Sequence, residues 1–405
     1  MIRRATSVAA IAALIVGLAG CSSTFTTDNG DGTITAWASD AAHEVPELVQ
    51  TFSTMQADVT VDLRVIPDAE YEELLWNTPL DELPDMFEAP SSLLPRLIAA
   101  GRVVPLDPIA SRWRMATLLP AVHDLGQAES STYAIALADQ QVAMWGNSAL
   151  LADAGITPPR TPSEAWTATE FIDVLHRLSA HSPSQRGLAL HDDPYSLMPI
   201  AGPSEEAWDL PEVLDALQLL ASARDTIVLS DTTDAFDRGE VALAWDSTAH
   251  SAAHRAALGN DLVAVPLPKF LGRSVTVHGA RQWSVSPAAA SSLTPLKRFV
   301  DYLLMDDTVA RAVAARGGVP STRTALAADR TFRATAPNAL FAQMLSGFCS
   351  AHPHEFTLGE ATGCTAFAPA AVDDTAASNA KWTQLAHELL GGHDAAEAVS
   401  RVSGP

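Results

Sequence analysis

The sequence predicts an α/β protein in which strands and helices alternate. Short apolar or alternating segments, typical of strands, are separated by segments with apolar residues at helical spacing. Strands separated by helices favour parallel pairing within a sheet that helices cover. The chain has 405 residues, of which 47% are hydrophobic, and is therefore long enough to form two domains with sizeable cores.

The first part of the chain shows this alternation clearly. Apolar and polar residues alternate strictly over 59–65, which predicts a half-buried strand. An apolar face at helical spacing predicts a helix over 41–55. The other elements predicted here are strands over 33–37, 84–89 and 133–137 and a helix over 91–100, which Gly101 ends.

The second part repeats the alternation without repeating the sequence. Thr161-Pro162-Ser163-Glu164 has the pattern of a capping box and predicts a helix start. Thr294-Pro295 predicts another helix start, and Gly317-Gly318 before Pro320 predicts a helix end. The remaining predictions are a helix over 211–224 and strands over 187–191, 239–247 and 261–268.

The N-terminus predicts an exported protein. Arg3 and Arg4 precede a short apolar run over 8–19, which is too short to cross a bilayer. Leu18-Ala19-Gly20-Cys21 resembles the lipobox of a bacterial lipoprotein signal. This resemblance implies cleavage after residue 20, lipid attachment such as palmitate at Cys21, and a flexible polar tether over 21–32. An ordinary secretory signal beside an ordinary cysteine is the alternative.

The charge of the chain excludes one class of partner. The formal net charge of −23 becomes −25 without the leader, which contains two arginines and no acidic residue. Nucleic-acid binding through phosphate neutralisation needs clustered Lys and Arg, so it is not expected.

Two cysteines remain in the exported chain, and their spacing predicts a disulfide. Cys349 and Cys364 enclose a short loop, and an extracytoplasmic setting is oxidising. A loop of this size corresponds to roughly 3 kcal/mol in the chain-entropy model. A metal site with His352 and His354 is the alternative, but the paired short spacings of zinc sites are missing.

Sequence motifs for catalysis or cofactors are missing. There is no GxxxxGK[ST], no GxGxxG and no GxSxG pattern. His387-Glu388 begins like a zinc-protease helix, but the second histidine is replaced by Gly391. We therefore expect no enzyme, no cofactor and no metal site, with most histidines on the surface. Paired acids such as Asp192-Asp193 and Asp306-Asp307 are expected to form caps.

Polar and aromatic residues after predicted strands indicate a binding site. Ligands of α/β sheets bind beyond the carboxyl ends of strands, and sugars stack on aromatic rings and hydrogen-bond to amides and carboxylates. Trp145, Trp166 and Trp245 are expected in the core. The residues at predicted strand ends are Trp37, Ser39, Asp40, Asp139, Gln140, Gln141, Asp193 and Tyr195.

Six segments, spread over nearly the whole exported chain, carry a resemblance through their order and spacing. They are "ITAWAS", "PDMFEAPSSLLPRLIAAGRVVPLD", "YAIALADQQVAMWGNSALLADAGITPPRTPSEA", "FDRGEVALAWDS", "VAVPLPKFLG" and "ARGGVPSTRTAL". Together they resemble the family 1 extracellular solute-binding proteins of ABC importers, the group that includes maltose-binding protein. The resemblance implies two α/β lobes, each a mostly parallel sheet flanked by helices, with a ligand cleft between them.

The same resemblance implies how the lobes are divided. Segments crossing between them are expected near Asp139–Val142, Pro266–Phe270 and Gly318–Arg323. The first lobe is then expected to hold residues 33–139 and 270–320, and the second lobe residues 140–269 and 321–405.

Site residues follow from the resemblance position by position. Trp37, Ser39 and Asp40 match the first-strand loop that touches sugar, and Asp193-Pro194-Tyr195 matches a loop with a stacking aromatic ring. Gly279-Ala280-Arg281-Gln282 matches a glycine loop that faces the cleft. The residues predicted to bind ligand are Trp37, Ser39, Asp40, Gln140, Gln141, Asp193, Tyr195, Asp246, Arg281 and Gln282.

One departure from the family pattern bears on the ligand. Asp246-Ser247-Thr248 stands where the family commonly has Gly-Pro-Trp, and this favours a smaller or more polar ligand than a long oligosaccharide. Arg281 raises the alternative of a phosphorylated or carboxylated ligand, while a surface ion pair is its structural alternative.

The function implied is that of a monomeric, lipid-anchored binding protein on the extracytoplasmic face of the bacterial cell membrane. It captures a monosaccharide, disaccharide, amino sugar or similar polyol by hinge closure and delivers it to the membrane permease subunits of an ABC importer. The alternatives are a binder of glycerophosphodiesters or other phosphorylated polyols, a sensor subunit without transport, and an exported hydrolase.

Overall fold

The computed structural model describes residues 32–42, 44–110, 115–181, 186–291, 293–332, 338–348, 364–369 and 375–403. Two sheets flanked by helices form two lobes, so the predicted α/β class is confirmed. The leader, Cys21 and Cys349 lie outside the described residues, and lipidation and the disulfide to Cys364 therefore stay predictions.

Fifteen strands are described. They are β1 Gly32–Ser39, β2 Val59–Ile66, β3 Met86–Pro90, β4 Gln127–Ala128, β5 Ser131–Thr132, β6 Ala134–Ala136, β7 Ala138–Asn147, β8 Arg186–His191, β9 Ile227–Ser230, β10 Val241–Ser247, β11 Leu262–Val265, β12 Thr276–Gly279, β13 Arg281–Val285, β14 Val319–Pro320 and β15 Ala366–Phe367.

Sixteen α-helices are described, together with short 3₁₀ turns such as Ser91–Leu93. The helices are α1 Val45–Met55, α2 Asp68–Asn77, α3 Leu94–Ala99, α4 Pro120–Leu125, α5 Ser148–Asp153, α6 Ala168–His181, α7 Met198–Ala201, α8 Pro211–Ala221, α9 Asp234–Asp237, α10 Ser251–Leu258, α11 Leu293–Met305, α12 Asp307–Ala315, α13 Arg323–Ala328, α14 Ala339–Leu345, α15 Thr375–Leu390 and α16 Ala395–Ser403.

The first lobe contains a five-stranded sheet in the order β2-β1-β3-β13-β6. The first three of these strands are parallel, and β13 runs antiparallel to β3. On one side of the sheet, α1 and α11 pack through Phe52 and Phe299, whose ring centroids are 5.0 Å apart. Both rings are almost fully buried, and full burial of such a side chain stabilises the fold by about 1.5–3 kcal/mol.

The second lobe contains an eight-stranded sheet built around the long strand β7. Its main order is β15-β12-β7-β10-β8-β9, and β11 and β14 also pair with β7. Strands β8, β9 and β10 are parallel, whereas β7 runs antiparallel to β10. Trp145 and Trp245 are buried in this lobe, and Trp166 packs against its core, as predicted.

Most strands of each sheet run in one direction, as predicted, and one described strand of each, β13 in the first sheet and β7 in the second, runs antiparallel to its neighbours. The reason is that β7 and β13 each enter their lobe from the other lobe. Each begins at the edge where the parallel strands of its new lobe end, and it can only run back antiparallel to them. The prediction of Asp139, Gln140 and Gln141 as a loop after a strand is corrected in the same way, because all three lie inside β7.

The chain passes between the sheets three times. It leaves the first sheet after β6, returns between β12 and β13 at Ala280, and leaves again at Gly317-Gly318 before β14 pairs with β7. The sequence predicts the second passage near Pro266–Phe270. The structure has it later because Thr276 Oγ1 donates to the Val142 carbonyl and holds β12 on β7.

The glycines of the third passage are required by the local geometry. Gly317 has φ +91°, and a Cβ there would collide with the Thr248 carbonyl and the Ser251 side chain. A Cβ on Gly318 would lie 2.6 Å from the Ala138 Cβ. The passage can therefore lie close against the second lobe only because both positions are glycine.

The predicted helix start at Thr161-Pro162-Ser163-Glu164 is wrong. Helix α6 begins at Ala168, and Thr167 with Glu170 forms the actual capping box. Thr167 Oγ1 accepts from the Glu170 N–H at 3.3 Å, and the Glu170 carboxylate accepts from the Thr167 N–H at 2.8 Å. The capping box thereby satisfies two of the backbone donors at the helix start. The cap predicted at Asp306 is confirmed, because its side chain accepts from the Thr308 N–H.

No helix among the described residues combines the length and the apolar character needed to cross a membrane.

Candidate functional site

Two polar edges, one from each lobe, form the candidate site. In the first lobe, β1, β2 and β3 end at the edge where β13 begins, because Arg281 pairs with Pro90. Ser39 Oγ donates to Asp68 Oδ1 at 2.5 Å, and Asp40 Oδ1 accepts from the Asp68 N–H at 2.8 Å. The carboxyl ends of parallel strands thus present Ser39, Asp40, Asp68 and Arg281 together.

Arg281 is held by two carboxylates. Its Nη1 lies 3.2 Å from Asp68 Oδ1, and its Nε lies 3.1 Å from Glu88 Oε2. Glu88 is buried, and its burial raises the pKa of the carboxyl to about 7 although Arg281 opposes the shift. The ring of Tyr71 lies 5.9 Å from the guanidinium carbon. The positive charge of Arg281 is therefore largely neutralised within the first lobe.

The second edge lies where β8 and β10 end. Asp193 Oδ1 accepts from the Tyr195 N–H at 2.7 Å, and burial raises the pKa of the Asp193 carboxyl. Asp246 Oδ1 lies 2.7 Å from His250 Nδ1, and Asp246 Oδ2 lies 3.1 Å from His254 Nε2. Burial alone would raise the pKa of Asp246, but these hydrogen bonds outweigh it and hold the pKa well below its usual range.

Tyr195 joins the two edges. Ser92, in the 3₁₀ turn after β3, and Asn379, in α15, lie around it. A cavity of about 20 Å³ lies between these residues, with Glu205 and Trp382 also in its wall. This volume holds about one water molecule and is too small for a sugar ring.

The structure places the predicted residue Trp37 away from this edge. Strand β1 continues to Ser39, so Trp37 lies two residues, roughly 7 Å, behind the strand end. Its half-buried ring packs on an apolar cluster of the first lobe, with the Arg64 guanidinium carbon 5.4 Å from the ring centroid.

Three glutamines were predicted in the site, and the structure separates them. Gln141 is buried and donates to Asp139 Oδ1 and to the Phe341 carbonyl. Gln282 is buried on the face opposite Arg281, with its amide near Gly126. Gln140 is exposed and pairs with Gly279 of β12. A Cβ placed on Gly279 would lie 3.4 Å from Ser91 Oγ of the first lobe. Because side chains of paired residues lie on the same face of a sheet, Gln140 is on the face that looks toward the first lobe.

Several residues of both edges are not among those predicted from the sequence. Asp68 follows the end of β2, and the rule that found Asp40 after β1 would also have found it. Glu88 is a lone acid in an otherwise apolar strand, which is itself an indication of a functional group. Most histidines are expected on the surface, and His254 and His278 are exceptions, because both are buried and each is bound to an aspartate. Ser92 and Asn379 come from segments without any local pattern.

Comparison with known proteins gives a family match and many similar folds. A family model described as bacterial extracellular solute-binding protein matches residues 47–339. A search of curated proteins gave no significant match.

Three solved structures illustrate the similarity of fold. The GacH receptor of Streptomyces glaucescens, solved without ligand and with acarbose, has a TM-score of 0.73 at 17% identity and covers 92% of this chain and 96% of its own. The sugar-binding protein MalE of Xanthomonas citri has a TM-score of 0.73 at 17% identity, over 92% and 95% of the chains. A solute-binding protein of Agrobacterium vitis with bound D-mannitol has a TM-score of 0.70 at 14% identity, over 91% and 96%.

Proposed function

Because this chain belongs to the bacterial extracellular solute-binding proteins, we propose that it captures a carbohydrate or related polyol and delivers it to an ABC importer. The observation that carries the proposal is the meeting of two polar strand-end edges at Tyr195, which lines one cavity together with Ser92 of the other lobe. Polar groups that converge from two lobes around an aromatic ring can hold a polyhydroxylated ligand on several sides.

The charges of the cleft support a ligand without negative charge. Asp68, Glu88, Asp193 and Asp246 contribute carboxyl groups, and Arg281 is already paired with two of them. Carboxylates accept hydrogen bonds from sugar hydroxyls, but they repel a phosphate. A neutral sugar, an amino sugar or a sugar alcohol therefore fits better than a glycerophosphodiester.

Hinge closure is the mode of capture that we propose. Three passages of backbone join the lobes, and the small cavity beside Tyr195 leaves no room for a sugar in the described conformation. The lobes then open to admit the ligand and close around it, as in two-domain binding proteins generally. Binding in this scheme needs no chemical step.

Membrane attachment through a lipid on Cys21 is also part of the proposal. Its support is the lipobox-like Leu18-Ala19-Gly20-Cys21 sequence, and the polar tether would let both lobes reach a permease. Cys21→Ser should move the protein from the washed membrane fraction to the soluble fraction. Retention of the variant on washed membranes would contradict the anchor.

A thermal-shift screen of the exported Cys21→Ser chain tests the ligand class. The panel contains monosaccharides, disaccharides, amino sugars, sugar alcohols and glycerophosphodiesters at millimolar concentration. A ligand present at about 100 times its dissociation constant stabilises the fold by roughly 2.7 kcal/mol. We expect a shift with a sugar or polyol, and a shift with phosphorylated compounds alone would overturn the proposed ligand class.

Product analysis and an uptake assay distinguish transport from the other functions considered. A hydrolase would turn over the stabilising compound, which product analysis would detect. A sensor would bind it equally well, but deletion of its gene would leave uptake of the labelled compound unchanged. The proposal predicts binding without turnover and a loss of uptake.

A further inference from the structure

The geometry of the second lobe points to a transition-metal site at the cleft, and we propose that His191, Asp246 and His250 bind a Zn²⁺-like divalent ion. One donor atom from each of these side chains lies within 4.8 Å of the other two. His250 Nδ1 is 2.7 Å and His191 Nδ1 is 4.0 Å from Asp246 Oδ1. Among the residues that the structure describes, no other trio of possible ligands meets this criterion.

The three donors are positioned by rigid elements. Leu190 of β8 and Trp245 of β10 are register partners, so His191 and Asp246, the next residues, lie side by side at the strand ends. His250 follows Asp246 by one turn in the 3₁₀ segment Thr248–His250. The rings of His191 and His250 have centroids 5.0 Å apart, and both lie beside the Asp246 carboxylate.

Residues around the three proposed ligands hold them in place. Asp246 Oδ2 is bound by the fully buried His254, whose other ring nitrogen lies 2.7 Å from Asp237 Oδ1. Such a second layer fixes the orientation of a ligating carboxylate, and its loss typically weakens metal binding about 10- to 100-fold. Asp193, two residues after His191, adds a further carboxyl group at the same edge.

The site is open on one side. The His250 side chain is 37% exposed and the His191 side chain 16% exposed, whereas Asp246 is almost completely buried. Two imidazoles and one carboxylate with remaining open positions suit Zn²⁺, Ni²⁺ or Co²⁺ better than Ca²⁺ or Mg²⁺, which prefer oxygen ligands. The open positions face the cleft. The inference goes beyond carbohydrate capture and does not depend on it, because its test uses the ion alone.

Zn²⁺ titration of the exported Cys21→Ser chain, without sugar, tests the site. Removing Cys21 eliminates a competing thiol. We expect one ion per chain, release of protons on binding, and no displacement by equimolar Ca²⁺. His191→Ala and His250→Ala should each weaken binding by at least about tenfold and abolish the visible absorption of bound Co²⁺.

His181→Ala is the matched control. It removes an exposed histidine that lies 2.8 Å from Asp153, a histidine–carboxylate pair without a third ligand. This variant should bind Zn²⁺ like the parent. Thermal melting without metal tests whether each variant is folded. We expect His250→Ala to fold, because the His250 side chain is partly exposed. Absence of saturable binding, equal binding by the His191 and His250 variants, or displacement by Ca²⁺ would overturn the proposal.

Discussion

Tyr195 of the second lobe and Ser92 of the first lobe line the same cavity of about 20 Å³. The two residues follow strands of different sheets and are 103 positions apart in the chain, so their proximity depends on how the lobes are arranged. Asn379 of α15 lines the cavity beside them. Groups that come together only when the lobes meet can hold a ligand in the closed state and not in the open one.

Tyr195→Phe is therefore expected to weaken capture, because it removes a hydroxyl from the cavity between the lobes. The loss of one net hydrogen bond to the ligand is worth about 0.5–1.5 kcal/mol, which raises Kd for the ligand from the panel by about 2- to 10-fold. Isothermal titration calorimetry measures the change. Tyr302→Phe is the control, because its hydroxyl donates to the Leu48 carbonyl at 3.1 Å within the first lobe. Equal Kd values for the parent and Tyr195→Phe would contradict a role of the Tyr195 hydroxyl in capture.

The Arg281–Glu88 pair is expected to stabilise the first lobe only as a pair. Arg281→Gln leaves Glu88 buried without its cation, which should lower the free energy of unfolding at pH 8 by about 3 kcal/mol. Arg281→Gln combined with Glu88→Gln should recover most of that loss. Urea denaturation of the two single variants and the double variant measures the coupling. Additive losses would show that the two side chains do not interact energetically.

Glu88 should make stability fall as the pH rises. Its pKa is about 7 in the folded protein, compared with the ordinary 4.5, because burial disfavours the charged form. Between these values the folded state holds a proton that the unfolded state releases, so the free energy of unfolding decreases by up to about 1.4 kcal/mol per pH unit. The decrease ends above the folded pKa.

Urea denaturation from pH 5 to pH 8 measures this dependence, and Glu88→Gln is the comparison. The variant lacks the titrating group while its other ionisable residues are unchanged, so the difference between the two profiles isolates Glu88. We expect a flatter profile for Glu88→Gln. Parallel profiles would show that Glu88 ionises normally in the folded protein.

Thr167→Ala is expected to destabilise the second lobe through the start of α6. Loss of an N-cap hydroxyl costs about 1 kcal/mol, and Thr167 Oγ1 is the acceptor for the Glu170 N–H. Thr161→Ala is the control, because Thr161 lies in an exposed turn before the helix and its hydroxyl bonds only to Ser163 among the described contacts. A larger loss of stability for Thr161→Ala than for Thr167→Ala would contradict this cap and support the helix start at Thr161 that the sequence predicts.

Local sequence patterns predicted most helices and strands, but they did not predict the segments that pass between the lobes. The alternation over 59–65 predicted β2 correctly, because one face of that strand is partly exposed. The same logic misplaced the start of β7, since Asp139 and Gln141 are polar residues buried by partners distant in sequence, His278 and Phe341. Two threonine–glutamate pairs, each spaced three residues apart, fit one helix start, and the structure uses Thr167 and Glu170.

The candidate site was predicted in part for the same reason. Asp40 and Tyr195 lie after strands, and strand ends are visible in a sequence. Glu88, by contrast, matters because Arg281 reaches it from another strand. Gln282 shows the limit of position-by-position inference, because its neighbour Arg281 faces the cleft and Gln282 must then face the interior.

The distance between spin labels on the two lobes tests the central claim most directly. Gln50→Cys on α1 and Glu212→Cys on α8 are exposed labelling sites, one in each lobe, in the Cys21→Ser chain. Pulsed electron paramagnetic resonance is recorded without ligand and with the sugar or polyol that stabilises the protein in the screen. Capture by closure predicts a broad distribution without ligand and a narrower, shorter one at saturation. An unchanged distribution at saturating ligand would contradict it.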